Sequence, residues 1–291
     1  MRKIYQVAII LFIIMGIIIF SKDSVSQFFD SRSSDYSSKY ILVFNRESKT
    51  IEYEENSDKN AYPASLTKIM TTLVALDHIE DLSEIAPVDI DTYREMVERN
   101  SSMAGFYGNE QVSYRDLLYG TILSSGGEAA NSLAIHVGGN KENFVKMMND
   151  KAKKLDMVNT NFVNPEGLHD EKQYTSAHDM AKLLDYALED GNFRAIFTRP
   201  TFNTSSTVDH PNGILLESTV LSRLNGINQD GFSIIGGKSG TTFEAGQCWA
   251  SLGIKDDKEY IVIVMGSPLK DLSNPDMEHR DDTIKLFKGI D

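Results

Sequence analysis

Ser65 and Lys68 stand three residues apart at the start of an apolar run, and together they could carry out nucleophilic catalysis. A serine hydroxyl is a weak nucleophile at neutral pH unless a nearby base removes its proton. A lysine amine can be that base if burial or a second cation lowers its pKa. Pro63 favours a helix that begins here, and residues three apart on a helix share one face. The pair is therefore a candidate nucleophile and base, although a capping serine beside a solvated lysine would show the same spacing.

A second lysine, Lys238, follows a predicted strand and precedes Ser239, Gly240 and Thr241. The glycines around it resemble a phosphate-binding loop, but that motif requires a glycine where Phe232 stands and a helix afterwards. A lysine in this setting can instead place its ammonium and the neighbouring hydroxyls against a substrate carboxylate. Backbone N–H groups of the same segment can face a reacting carbonyl. A β-turn with a solvated lysine is the structural alternative.

Composition limits the classes of partner and site. The net charge of -13 argues against nucleic acid, because the field of the protein would repel the phosphate backbone. The single cysteine, Cys248, cannot form an intrachain disulfide, and we expect a buried small hydrophobe in a strand. The six histidines show no metal-ligand spacing, so a metal site is not predicted.

An uncharged, mainly apolar run covers residues 4–20 and follows Arg2 and Lys3. Basic residues on the N-terminal side keep that end in the cytoplasm, so the rest of the chain is expected on the extracytoplasmic side of the cell membrane. We interpret residues 1–22 as a single-pass membrane anchor. The alternative is a signal peptide cleaved at the weak site 24–26, which would give a secreted protein. Residues 23–38 are predicted to be a serine-rich linker.

The remaining residues, 39–291, are predicted to form one α/β domain. An early hairpin and three sequential antiparallel strands give five predicted strands: 41–44, 50–53, 232–235, 247–253 and 259–265. Apolar periodicity and capping residues predict helices between them: 63–76, 113–123, 128–136, 142–155 and 176–188. In the first helix, Leu66, Ile69, Leu73 and Leu76 form an expected buried stripe. Residues 81–112 show little periodicity, and a short helix at 282–287 is expected to pack on the sheet.

Ser65-x-x-Lys68, Ser125-Gly126-Gly127 and Lys238-Ser239-Gly240 occur in the order found in penicillin-binding proteins and serine β-lactamases. The segments 62–71, 164–170 and 237–246 resemble the low-molecular-mass penicillin-binding proteins that are D-alanyl-D-alanine carboxypeptidases. The resemblance covers about residues 39–291. It implies an α/β fold of the DD-peptidase/β-lactamase type, with a five-stranded antiparallel sheet flanked by helices, a mainly helical subdomain and an active site between them.

The resemblance also implies an activity, the removal of the terminal D-alanine from peptidoglycan stem peptides, with β-lactams as covalent inhibitors. Ser65 would be the nucleophile, Lys68 the general base and Ser125 the proton relay to the leaving amine. Backbone N–H groups of Ser65 and Thr241 would form the oxyanion hole. This chemistry needs no metal or organic cofactor. Four residues would bind the substrate: Lys238, Ser239, Gly240 and Thr241.

One position departs from the family pattern. Gly127 stands where the second motif usually has an asparagine, so a side-chain amide that would contact the substrate is missing. Asn131, one helical turn later, could partly replace it, although we expect a cap or a surface amide there. Two alternative functions stay open. One is a serine β-lactamase, for which Glu166 could activate the second water, and the other is a non-catalytic wall-binding homologue, which Gly127 alone favours.

Overall fold

The computed structural model describes residues 35–271 and 276–290, and its folded domain is the compact unit Ser38–Asp291. The predicted anchor, residues 1–22, and the predicted linker up to residue 34 lie outside the described ranges. Within those ranges, no helix is both long and apolar enough to cross a membrane. The domain boundary at residue 39 stays a prediction.

A five-stranded antiparallel sheet forms one part of the molecule, as the sequence predicted. Its strand order is β2-β1-β7-β6-β5, and β3 and β4 form a separate two-stranded ladder. The strands are β1 (Tyr40–Asn45), β2 (Thr50–Glu55), β3 (Thr201–Asn203), β4 (Leu215–Glu217), β5 (Ser233–Thr242), β6 (Gly246–Lys255) and β7 (Lys258–Ser267). The sequential pairing of β5, β6 and β7 is confirmed, whereas β3 and β4 were not predicted.

The described helices lie mainly between β2 and β5 in the sequence. They are α1 (Thr67–Leu76), α2 (Ile90–Glu98), α3 (Tyr114–Ile122), α4 (Gly127–Gly138), α5 (Lys141–Lys154), α6 (Ala177–Ala187), α7 (Gly191–Phe197) and α8 (Glu278–Gly289). Capping side chains begin several of them: Ser113 forms a capping box with Asp116, and Asp89 accepts from the Thr92 amide. The helices α2 and α7 were not predicted from the sequence.

The helix α1 is buried on every side rather than along one stripe. Every residue from Leu66 to Ala75 is buried, and only Leu76 of the predicted stripe is partly exposed. The helices α3 to α7 all pack against α1. Because five helices pack around it and its polar side chains are buried with its apolar ones, α1 is the central helix of the helical part.

The strand β7 lies in the middle of the sheet and is buried along Tyr260–Met265. A continuous apolar strand is typical of a sheet covered on both faces. Both α6 and α8 pack against β7, and Phe287 of α8 stacks on Phe232 with ring centroids 5.4 Å apart. The predicted packing of the last helix on the sheet is therefore confirmed. Cys248 of β6 is buried, as expected, and burial raises the pKa of its thiol to about 12.

The edge strand β5 is longer than predicted, and the difference concerns the site. The sequence predicted a strand that ends at Ile235, before a glycine-rich segment. The observed strand continues through Lys238 to Thr242 and pairs with β6 along its length, with an irregularity between Ile234 and Gly236. Glycine has low strand propensity, but pairing and burial decide the outcome here. Lys238 therefore lies within an edge strand rather than after its end.

Candidate active site

Ser65 and Lys68 are brought together at the start of α1. Ser65 lies in a 3-10 turn, Ala64–Leu66, and Lys68 lies in the first turn of the α-helix that follows. The distance between Lys68 Nζ and Ser65 Oγ is 3.2 Å. This contact is the one through which a base takes the proton of a nucleophilic hydroxyl.

Lys68 is buried, with 1% of its surface exposed. Its Nζ also donates a hydrogen bond to the backbone carbonyl oxygen of Glu166. Burial lowers the pKa of the Lys68 ammonium to about 8, although the charges of Glu166 and Glu128 act in the opposite direction. An amine with this pKa can act as a base near neutral pH, which a solvated lysine cannot.

Lys238 is completely buried beside the second predicted serine. Its Nζ donates to Ser125 Oγ at 2.9 Å and to the Ser239 carbonyl oxygen at 2.7 Å. Burial, followed by the charges of Lys68 and Arg223, holds the pKa of Lys238 well below its usual range. In the described part of the chain, every hydrogen bond from Lys68 and Lys238 goes to a hydroxyl or carbonyl oxygen. No carboxylate therefore accepts from either amine in this part of the chain, and the charge of Lys68 disfavours the ammonium form of Lys238.

The turn that presents Ser65 is held between β5 and the loop 164–170. A Cβ atom on Gly240 would lie 2.7 Å from the Ser65 amide nitrogen, so this approach of β5 requires glycine. On the loop side, Gly167 has a φ of +87°, and a Cβ there would overlap the Ala64 carbonyl. Ala64 itself has a φ of +47°, which a non-glycine residue keeps only when its surroundings enforce it.

The predicted substrate-binding residues share the strand that faces Ser65. Lys238 and Ser239 are buried, and Thr241 is partly exposed. Ser239 Oγ donates to Thr219 Oγ1 at 2.9 Å, so a hydroxyl pair extends from β5 toward the segment after β4. Ser125 has a φ of +60°, another strained backbone position at this site. The structure thus brings together all the residues that the sequence singled out, and their catalytic roles stay predictions.

Arg223 is a neighbour of this cluster that sequence reasoning missed. It lies in a 3-10 turn, Leu221–Leu224, that packs against β5. We find no hydrogen-bond or ion-pair partner for its guanidinium among the described residues. Burial lowers the pKa of Arg223, and the charge of Arg280 adds to the effect. No sequence motif identifies Arg223 as a site residue, because its turn lies next to the strand of Lys238 only in the folded protein.

The expectation for Asn131 was wrong. Its side chain is completely buried, and its Nδ2 donates to the Gly127 carbonyl at 2.9 Å and to Glu166 Oε2 at 3.3 Å. The cause is the packing of α4 against α1, α2, α3 and α5, which leaves this face of the helix inside the protein. The space beside Gly127 is also filled, since a Cβ there would collide with Ser101 and Met96.

The fold and the placement of this site, between an edge strand and a helical subdomain, define a protein of the DD-peptidase class. A solved variant of the Streptomyces K15 DD-transpeptidase superposes with a TM-score of 0.77, at 24% identity, over 88% of this chain and 98% of that chain. This similarity shows the predicted fold.

The chain belongs to the S11 peptidase family, D-alanyl-D-alanine carboxypeptidase, whose sequence profile matches residues 27–268. The D-alanyl-D-alanine carboxypeptidase DacA of Haemophilus influenzae is 37% identical over 221 residues, 73% of this chain and 53% of that protein. DacF of Bacillus subtilis is 29% identical over 233 residues, 80% of this chain and 58% of that protein. The chain thus spans little more than half the length of these curated relatives.

Proposed function

We propose that this protein is a serine-type D-alanyl-D-alanine carboxypeptidase that removes the terminal D-alanine from peptidoglycan stem peptides. The observation that carries the proposal is the 3.2 Å contact between Ser65 Oγ and the Nζ of Lys68, a buried amine whose pKa is lowered to about 8. Membership of the S11 family supports the same reaction.

The first step is acylation of Ser65. Its Oγ attacks the carbonyl carbon between the two D-alanines while Lys68 takes the hydroxyl proton. The backbone N–H groups of Ser65 and Thr241 stabilise the oxyanion, and loss of one such donor typically costs about 3 kcal/mol. The peptide lies along the outer edge of β5, because an edge strand can bind an extended chain as an additional strand.

The leaving D-alanine needs a proton on its amine. Ser125 passes to it the proton that Lys68 took from Ser65, so Lys68 becomes neutral again, and the hydrogen bond from Lys238 to Ser125 Oγ orients the hydroxyl for the transfer. The C–N bond breaks, D-alanine departs, and Ser65 keeps the acyl group. Water then attacks the ester while the neutral Lys68 takes its proton. The ester C–O bond breaks, Lys68 returns the proton to Ser65 Oγ, and the shortened peptide is released.

Binding of the substrate carboxylate determines which of the two lysines, Lys68 or Lys238, is protonated. Lys238 and Ser239 lie on β5 and Arg223 lies in the turn that packs against it, and their ammonium, hydroxyl and guanidinium groups suit an anion. A carboxylate bound there favours the protonated form of Lys238. Because like charges repel, a charged Lys238 favours the neutral form of Lys68, which is the form that acts as a base.

The test is the release of D-alanine from a defined pentapeptide that ends in D-Ala-D-Ala. We expect turnover with the wild-type chain and none above background with Ser65→Ala. Intact-mass spectrometry after exposure to penicillin should show one adduct on the wild type and none on Ser65→Ala. A folded wild-type chain that neither releases D-alanine nor forms the adduct would support the non-catalytic alternative.

The β-lactamase alternative differs in the lifetime of the adduct. Glu166 Oε2 accepts from Asn131, and Oε1 lies 3.8 Å from Arg99 Nη1. These contacts support a structural role for the carboxylate rather than the activation of a water molecule. We therefore expect a penicillin adduct that persists for many times the turnover time of the peptide. Rapid regeneration of free enzyme would favour a β-lactamase.

The location of the enzyme is a further part of the proposal. The apolar run at residues 4–20 supports a membrane anchor formed by residues 1–22, with the catalytic domain outside the cytoplasm. The full chain is expected in the membrane fraction of expressing cells, and deletion of residues 1–22 from a chain given a cleavable export signal should release it. Recovery of the intact full chain in the soluble fraction would contradict the anchor.

A further inference from the structure

Glu166 has a buried carboxyl group that the reaction described above does not use. Only 2% of its surface is exposed, and acidic residues are rarely fully buried unless they are paired. Its backbone carbonyl oxygen accepts the hydrogen bond from Lys68 Nζ. Its side chain contacts Asn131 Nδ2 at 3.3 Å and Arg99 Nη1 at 3.8 Å. One residue therefore touches the candidate base with its backbone and two other elements with its side chain.

The backbone contact limits the orientation of the Lys68 amine. A neutral amine has two N–H bonds and one lone pair, and one N–H points at the Glu166 carbonyl. This arrangement leaves the lone pair available to accept the Ser65 proton. The position of the carbonyl depends on the loop 164–170, which is held on one side by a 2.6 Å hydrogen bond from Thr71 Oγ1 to the Pro165 carbonyl.

The side-chain contacts hold the loop on the other side. Gly127 contributes no side chain, and Asn131 and Met96 lie close together beside it, with 3.4 Å between Nδ2 and Sδ. Asn131 therefore extends from α4 to the Glu166 carboxyl group. Arg99, a partly exposed residue at the end of α2, lies 3.8 Å from the other oxygen of the same carboxyl group.

We propose that Glu166 is a positioning residue for the general base: its carbonyl orients the Lys68 amine, and its carboxylate, held by Asn131 and Arg99, sets the charge beside that amine. The proposal rests on the proposed role of Lys68. Charged groups on four other elements face the two residues and act on the same equilibrium: Glu128 on α4, Lys238 on β5, Arg99 at the end of α2 and Lys141 on α5.

The sign of the effect follows from these charges. The ionised Glu166 carboxylate favours the protonated form of Lys68, against the effect of burial. Burial raises the pKa of the Glu166 carboxyl, and the charge of Lys68 opposes that shift and favours the carboxylate. Lys68 must be neutral to accept the Ser65 proton, so the acylation rate rises with pH through the apparent pKa of the lysine pair. Removal of the carboxylate charge lowers that pKa and moves the rising limb to lower pH.

The experiment measures the rate of Ser65 acylation by a fluorescent penicillin between pH 5 and 10, with the full chain. In Glu166→Gln we expect the midpoint of the rising limb to fall by about one pH unit. The plateau should stay within about twofold of wild type, because the amide retains the contact with Asn131. Glu171→Gln is the control: this exposed carboxylate lies five residues further along, and its removal should leave the limb in place.

Glu166→Ala tests the positioning role separately. It removes the side-chain anchor, and we expect a plateau about tenfold lower than that of Glu166→Gln. A limb that stays at the wild-type pH in Glu166→Gln would overturn the proposal, as would an unchanged plateau in a folded Glu166→Ala. If the alanine variant does not fold, the isosteric glutamine variant decides. A wild-type chain that penicillin does not acylate would instead refute the proposed function.

Discussion

Arg46 and the pair Lys68 and Lys238 are buried cations that differ in the groups they contact. The Arg46 side chain is 8% exposed, and its guanidinium contacts Asp185 at 2.9 Å, Glu189 at 2.6 Å and Glu259 at 2.5 Å. Burial alone would lower the pKa of Arg46, but hydrogen bonds and charges from Asp185 and Glu259 outweigh it and raise the pKa. This cation stays charged and joins the end of β1 to α6 and β7.

Lys68 and Lys238 are at least as deeply buried, yet their amines contact hydroxyl and carbonyl oxygens instead of carboxylates. Burial therefore lowers the pKa of both, to about 8 for Lys68 and well below the usual range for Lys238. The comparison shows that the partners, rather than burial alone, determine whether a buried cation is a structural link or a group able to exchange protons.

The largest expected effect comes from making the base a permanent cation like Arg46. Lys68→Arg should reduce the rate of penicillin acylation by about 10³-fold, because a guanidinium is not deprotonated and general-base catalysis contributes about 10²–10⁴-fold. Stopped-flow fluorescence with a fluorescent penicillin measures the rate. The exposed Lys154→Arg is the matched control and should acylate at the wild-type rate. A folded Lys68→Arg variant within tenfold of wild type would exclude Lys68 as the base.

The second prediction concerns the ion pairs that Arg46 forms with Asp185, Glu189 and Glu259. Arg46→Met should lower the free energy of unfolding by about 3 kcal/mol, the lower end for a broken buried ion pair, because Asp185 and Glu259 lose a shared cation but still contact Lys49 and Arg194. The acylation rate of the folded variant should be unchanged. Urea unfolding and the penicillin assay measure the two quantities. Lys49→Gln is the control: its side chain is 55% exposed and contacts the same Asp185, so its effect should stay below about 1 kcal/mol. Equal losses in the two variants would contradict the comparison.

A smaller effect is expected from removing the second amine. Lys238→Ala should lower kcat/KM for D-alanine release by about 10- to 100-fold, the value of one charge-assisted hydrogen bond. The substrate carboxylate loses a cation and Ser125 loses its donor. The exposed Glu98→Gln tests general electrostatic attraction on this acidic surface and should be close to wild type. Comparable kcat/KM values in the two variants would refute the assignment of Lys238.

The smallest effect is a gain in stability, opposite in sign to that of Arg46→Met. The pKa of Lys68 is about 8 in the folded protein against 10.5 for an ordinary lysine, so below pH 8 folding buries an ammonium at a cost. Lys68→Met should therefore be more stable than wild type at pH 7, by about 1–2 kcal/mol. Between pH 8 and 10.5 the folded wild type releases its proton first, so this difference should shrink.

Urea unfolding at pH 7 and pH 10 measures the trend. Cys248→Ala is a buried comparison with the opposite trend, because the thiol pKa is raised from 9.0 to about 12. At pH 10 the unfolded thiol ionises while the folded one stays protonated, so the stability of this variant relative to wild type should grow between pH 7 and pH 10. A Lys68→Met variant less stable than wild type at pH 7 would show that the amine stabilises the fold, as Arg46 does.

The sequence by itself determined the features that depend on neighbouring residues. Helical spacing is enough to place Ser65 and Lys68 on one turn, because residues three apart meet on any helix. Alternating and continuous apolar runs located β6 and β7, and the capping residues located α3 and α6. The order of the three motifs indicated the family and the fold.

The tertiary structure alone decided the contacts between distant residues. Lys238 and Ser125 are 113 residues apart and share a hydrogen bond that no local pattern encodes. The extension of β5 through a glycine-rich segment came from its pairing with β6, and the burial of Asn131 came from the helices around α4. The pKa values of the two lysines also required the fold, because they depend on burial and on charges that arrive from separate elements.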